Sequence, residues 1–151
     1  WHNLSNGTAR IFVEYADLTS TWWTDDTRTH NISYGHHIYS DGYRYLGRPV
    51  GHWADTDSKI ISLGGFLQLD SGIGWGSILR TGDLNEDGSG NNSVSNGVAS
   101  NYFAIEVFNS RSYDNLNLDV QTSLGWEEIE VQSSSLSESG ITFSTTITKL
   151  F

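Results

Sequence analysis

Between Tyr34 and Asp57 the chain reads YGHHIYSDGYRYLGRPVGHWADTD, a run with three histidines, four tyrosines and two arginines. The whole sequence has only eight basic residues against a formal net charge of −10, so this irregular run gathers positive charge in an acidic background. Aromatic rings stack on the apolar faces of sugars, and guanidinium groups make forked bonds to carboxylates or phosphates. Tyr39, Tyr43, Arg44, Tyr45, Arg48, His52 and Trp53 therefore form a candidate ligand-binding set for a sugar bearing acidic groups. The same residues have a structural alternative, in which the run packs down and Arg44 and Arg48 pair with strand carboxylates such as Glu14 and Glu106. Gly42, Gly47 and Gly51 read as turn residues.

Other chemistry is poorly represented. His36, His37 and His52 have no accompanying carboxylate spacing, and neighbouring histidines in an extended segment point to opposite sides, so no metal is assigned to them. DLNEDGSGNNSV (Asp83 to Val94) places Asp83, Asn85, Asp87 and Gly88 as a calcium loop would, but Val94 stands where the bidentate glutamate belongs. It reads as a polar loop, with calcium at 83–94 as the lesser alternative. No nucleophile elbow and no zinc-protease helix motif occur, so the chain is read as a non-enzyme without a cofactor. The acidic balance excludes nucleic acid as a partner, since that binding rests on neutralised phosphates. There is no cysteine, hence no disulfide framework.

The elements that must position these residues are strands. Sixteen glycines and 13% aromatics favour an all-β chain. Two-residue alternation marks six segments, at 8–20, 58–69, 73–83, 100–112, 115–132 and 140–151. Ile11, Leu63, Leu67, Phe103, Ile105, Val107, Val120 and Ile147 fall on the apolar faces. Thr142, Ser144, Thr146 and Thr148 make a polar face in the last strand. The apolar phase of the fifth segment slips at Ile129 and Val131, and a bulge near Glu127–Glu128 is expected there.

Short and long connections alternate. Strands two and three, and four and five, are joined by a few residues, whereas 21–57, 84–99 and 133–139 are long. A sandwich with both ends in water has no reason to keep that rule; a transmembrane barrel, with short periplasmic turns and long outer loops, does. The expectation is an antiparallel transmembrane β-barrel with lipid as a partner of its apolar face. A soluble β-sandwich carbohydrate-binding module is the alternative. Six strands enclose almost no interior, so this chain is read as about six strands of a larger barrel. The opening WHNLSNG, without an initiator methionine or a signal peptide, suits part of a longer polypeptide.

Three stretches sharpen this reading. RIFVEYADLT (Arg10 to Thr19), HHIYSDGYRYLGRPVGH (His36 to His52) and LRTGDLNEDG (Leu79 to Gly88) resemble, in the same order, the Wzi family of capsule-assembly proteins. The resemblance covers most of residues 8–90, and beyond that it rests on the barrel pattern and the terminal Phe151. It implies a barrel of about eighteen strands in the bacterial outer membrane, with residues 1–151 as its C-terminal segment. The N-terminal remainder of the same barrel would be a partner. It further implies lectin-like, non-catalytic retention of acidic capsular polysaccharide. Lys149 departs from the pattern, since barrel ends usually carry an aromatic or apolar residue at that point.

Overall fold

The computed structural model describes residues 2–19, 33–34, 43–46, 48–88 and 92–149. Tyr39, His36, His37, Gly42 and Gly47 lie outside the described residues.

One antiparallel sheet dominates the molecule. Its strands are β1 (His2–Leu4), β2 (Gly7–Asp17), β5 (Lys59–Leu69), β6 (Ile73–Leu84), β7 (Ser100–Tyr113), β8 (Leu118–Val131) and β9 (Ser137–Lys149), hydrogen-bonded in that order. A separate small hairpin pairs β3 (Arg44–Tyr45) with β4 (Arg48–Pro49). The six long strands coincide with the alternating segments of the sequence. β1 is an addition: it covers only Gly7 to Ala9 of β2, through a two-residue turn at Ser5 and Asn6. Among the described residues the sheet stays open, with β1 and β9 as its edges.

The turns that join β1 to β2, β5 to β6 and β7 to β8 lie at one end and are laced together. The Asp70 N–H donates to the Asn6 carbonyl at 3.0 Å, and the Ser112 N–H donates to Gly72 at 2.9 Å. Gly72, at φ 79°, takes the left-handed conformation that the tight β5–β6 turn requires. The longer connections leave from the opposite end.

Register divides the side chains into two faces. Val13, Leu63, Leu79, Ile105, Trp126 and Ile141 stand in one line across six strands, with Ile11, Val107, Leu124 and Phe143 in the line below. Most of these side chains are exposed in this chain. All eight residues read as apolar-facing from the sequence lie on this outer face. No second sheet covers it among the described residues, so the core that a β-sandwich needs is absent.

The inner face carries Arg10, Phe12, Glu14, Ser62, Phe66, Arg80, Tyr102, Glu106, Glu127 and Thr142. At its long-loop end Ile60, Leu84, Tyr102 and Ala104 are buried beneath Ala54, with Leu18, Val94 and Ile129 packed around them. The core of the chain is thus a plug of loop laid against the inner face.

The bulge expected near Glu127–Glu128 does not form. β7 and β8 pair one to one from Tyr113↔Leu118 to Ser100↔Val131. What changes along β8 is the surroundings, not the phase. Glu128 and Glu130 stay on the outer face but lie beside Asp83, Asn101 and Thr81 at the long-loop end, beyond the apolar lines. Ile129 and Val131 turn inward toward Val94 and Leu136.

Candidate functional site

The site grows from the irregular run that precedes β5. Its β3–β4 hairpin turns at Leu46, which holds a left-handed φ of 50°. The hairpin is anchored beneath by Tyr34: its carbonyl accepts from the Tyr43 N–H at 3.1 Å, and its hydroxyl accepts from the His52 N–H at 2.7 Å. Gly51 is the residue that lets Tyr34 approach, since a Cβ there would sit 2.3 Å from the Tyr34 hydroxyl.

The two arginines of this hairpin have opposite surroundings. Arg44 donates from Nη1 and Nη2 to the two oxygens of Asp55, both at 2.5 Å. The Asp55 side chain is wholly buried and that of Arg44 is 14% exposed. Asp55 also accepts from the Ser93 N–H at 2.9 Å, the Ser93 hydroxyl at 2.8 Å and the Thr56 N–H at 2.7 Å. Burial works against its charge, but the Arg44 guanidinium and the Ser93 and Thr56 donors outweigh that and hold the carboxyl below the usual carboxylate range. Arg48 is exposed, and among the described residues no carboxylate pairs with it. Tyr43 and Tyr45 beside it are also exposed, Tyr45 by 74%.

The partners imagined for these arginines are engaged elsewhere. Glu106 faces Arg80 at 4.0 Å, and Glu14 lies on the inner face, where its charge acts on His52.

Residues 54–58 are all buried, which obliges every backbone group there to find a partner. Asn92 supplies most of the answer. Its Nδ2 donates to the Ala54 carbonyl at 2.8 Å, the Thr56 carbonyl at 2.9 Å and the Ser58 hydroxyl oxygen at 3.1 Å. Its Oδ1 accepts from the N–H groups of Val94 and Ser95. The Leu18 N–H donates to Ser58, the Asp57 N–H to Leu18 and the Glu86 N–H to Asp57. Two long connections, those before β5 and before β7, are thereby tied into one cap.

His52 and Trp53 belong to the underside of this cap. Trp53 packs on Tyr102 with ring centroids 4.9 Å apart, and His52 lies 5.6 Å from Trp53. The Ala54 N–H donates to His52 Nδ1 at 3.2 Å, which requires that nitrogen to be unprotonated. Burial lowers the His52 pKa, the Arg80 charge adds to this, and Glu14 opposes it.

The candidate set therefore separates by role. Tyr43, Tyr45 and Arg48 point outward from the hairpin, Arg44 ties it down, and His52 and Trp53 lie under the cap. In the 83–94 loop, Glu86 is bound to Lys59 at 2.9 Å and Asp83 lies on the outer face of β6. The Asp87 N–H donates to Asp57. No group of three or more metal-binding side chains converges among the described residues. Asp55, Asn92 and Ser58 escaped the sequence reading. Each is a small polar residue in a polar stretch, and only a tertiary partner distinguishes it from a solvated neighbour.

An open antiparallel sheet, apolar outside and uncovered there among the described residues, with charged and aromatic side chains inside, tight turns at one end and a loop cap at the other, defines a segment of a β-barrel wall. The chain belongs to the family of the capsule assembly protein Wzi, whose family model matches residues 2–139. Among solved structures, the chain is similar to Wzi of Escherichia coli, described as a carbohydrate-binding β-barrel and an outer-membrane protein involved in group 1 capsule assembly. Identity is 24% and the TM-score 0.71, over 94% of this chain and 30% of that one. The chain thus spans about a third of the length of the solved barrel that it matches. No curated protein sequence matches it.

Proposed function

We propose that this chain forms part of the wall and outer cap of an outer-membrane barrel that holds capsular polysaccharide at the cell surface without catalysis. The outer-face lines support the membrane placement. From Ile61 to Leu69 the outer face of β5 runs about 27 Å along the strand, or about 20 Å of depth at a tilt of ~40°, close to the apolar band of such barrels. At its lower edge stand Arg111, Tyr113 and Lys149, with the Arg111 guanidinium 5.1 Å from the Tyr113 ring, as an interfacial girdle requires. The long connections at the cap end are then the outer loops, and lipid and the rest of the barrel are the partners of the outer face and the sheet edges.

The observation that carries the binding role is the exposed Arg48, which has no carboxylate partner among the described residues, in one hairpin with exposed Tyr43 and Tyr45. A guanidinium and two tyrosine rings on one short hairpin suit an acidic sugar residue, with the rings taking the apolar sugar face. Arg44, by contrast, serves the site by holding the hairpin. The test is binding of acidic capsular polysaccharide to the full-length protein in detergent. Arg48→Ala should weaken binding about tenfold with heat stability retained. Unchanged binding in Arg48→Ala and in a Tyr43→Ala/Tyr45→Ala variant would remove the hairpin from the site.

A further inference from the structure

The inner face holds a second feature, well away from the hairpin. Phe12 of β2, Phe66 of β5 and Phe108 of β7 form a row of rings toward the short-turn end. The Phe12 and Phe66 centroids are 5.7 Å apart with planes inclined by 20°, and those of Phe66 and Phe108 are 5.2 Å apart at 48°. Glycines lie beneath the two outer rings. A Cβ at Gly64 would meet Phe12 at 2.0 Å, and one at Gly76 would meet Phe108 at 2.1 Å. Register places Phe12 opposite Gly64 and Phe108 opposite Gly76. Each ring therefore leans across the neighbouring strand and lies over bare backbone.

This arrangement has a chemical consequence. A phenylalanine in a packed core is surrounded on both faces, but one laid over glycine has backbone on one face and turns the other toward the interior. All three rings are only half-buried in this chain. Polar groups border them: Thr8, Gln68 and Ser110 share the recess with Phe66 and Phe108, and the Arg10 guanidinium lies 5.4 Å from the Phe12 centroid, closing that end. Flat rings bordered by short hydrogen-bonding side chains are what the two faces of a pyranose require: C–H groups on the ring, hydroxyls on the rim. Toward the cap, the described residues of the inner face include Glu14, Glu106 and Glu127 against Arg80, a stretch of wall unsuited to a polyanion.

We infer that Phe66 and Phe108, with Phe12 and Arg10 at one end and Gln68 and Ser110 on the rim, form a second saccharide site that takes neutral pyranose rings inside the barrel. The inference rests on the carbohydrate-binding reading above but assigns a different place and a different sugar chemistry. The probe is maltoheptaose, a neutral pyranose oligomer, titrated into the full-length protein in detergent by calorimetry, with heat-modifiable gel mobility reporting the folded barrel. Phe66→Leu and Phe108→Leu should each weaken binding about tenfold, whereas Phe66→Tyr, which keeps the ring, should retain it. Gly76→Ala, which pushes the Phe108 ring off the sheet, should act like Phe108→Leu. Arg48→Ala should leave maltoheptaose binding unchanged, so the two sites fail or survive separately. No binding by the unaltered protein, or equal binding by the leucine variants in their folded form, overturns the inference. Lowered heat stability without a change in affinity also overturns it, by making the row a packing element.

Discussion

Replacing Arg44 with alanine removes one partner from an ion pair whose other member, Asp55, has no solvent exposure. Breaking such a pair from one side generally costs about 3–5 kcal/mol, because the remaining charge is left buried. Asp55 keeps three other donors, from Ser93 and Thr56, so the lower end applies, about 3 kcal/mol. The loss falls on the cap and not on the sheet, whose ladders do not involve Arg44. It should appear as local opening of residues 52–58, more populated by upwards of a hundredfold, with the melting of the barrel nearly unchanged. Amide hydrogen exchange of residues 52–58 reads this directly. Arg48→Ala in the same hairpin removes no buried partner and should stay within about 0.5 kcal/mol. If the two variants exchange at the same rate over 52–58, the assignment of Arg44 as the anchor is wrong.

Three further outcomes are expected. Ile105→Arg, in the apolar line of the outer face, should destabilise the folded barrel in lipid by about 2–4 kcal/mol, whereas Thr142→Arg on the inner face should cost well under half of that; urea titration in vesicles decides. Asn92→Asp turns a donor that serves two carbonyls into an acceptor facing them and should loosen the cap by about 2–3 kcal/mol, seen as faster proteolysis at the long-loop end with the strands intact. Acid should also loosen the cap. His52 is held below its usual 6.5, so its contribution is complete above that pH and declines as pH falls below it. Asp55 is held below its usual 3.8, so its contribution is lost only as pH falls further, through its folded value. With the intrinsic pH dependence of amide exchange divided out, protection of residues 52–58 should therefore fall in two stages, one as pH drops below 6.5 and a second as it drops below 3.8, with His52→Asn removing the first; a flat profile contradicts both assignments.

The strands were legible because a two-residue period survives in sequence wherever one face meets an apolar phase and the other does not. Ile141, Phe143 and Ile147 against Thr142, Ser144 and Thr146 need no tertiary information to be sorted. β1 escaped because three residues are too few to show a period. The bulge was inferred from a phase slip that has another cause. β8 outruns the apolar band, so Glu128 and Glu130 replace apolar residues outside while Ile129 and Val131 find a covered place inside. The site was legible in composition but not in roles. Arg44 and Arg48 are equivalent on paper, and only the fold brings Asp55, eleven positions on, beneath one and not the other. Nothing in the sequence signals that Phe66 and Phe108 belong together, because what relates them is the glycine beneath a neighbour's ring.

The cap's dependence on Asn92 sets an order of events for the chain. Asn92 reaches Ala54 across 38 positions, a long span to close from an unstructured state. Once β5 and β6 have zipped from Lys59↔Asp83 downward, only about 14 residues of loose chain separate the two, and the closure entropy falls by about 0.9 kcal/mol. The amide of Asn92 then meets carbonyls that the hairpin has already brought near. Pulse-labelled exchange during refolding should protect residues 60–83 before residue 54. The cap is in this sense a latch that closes on a finished hairpin, and a chain with slipped β5–β6 register would leave the latch without its catch.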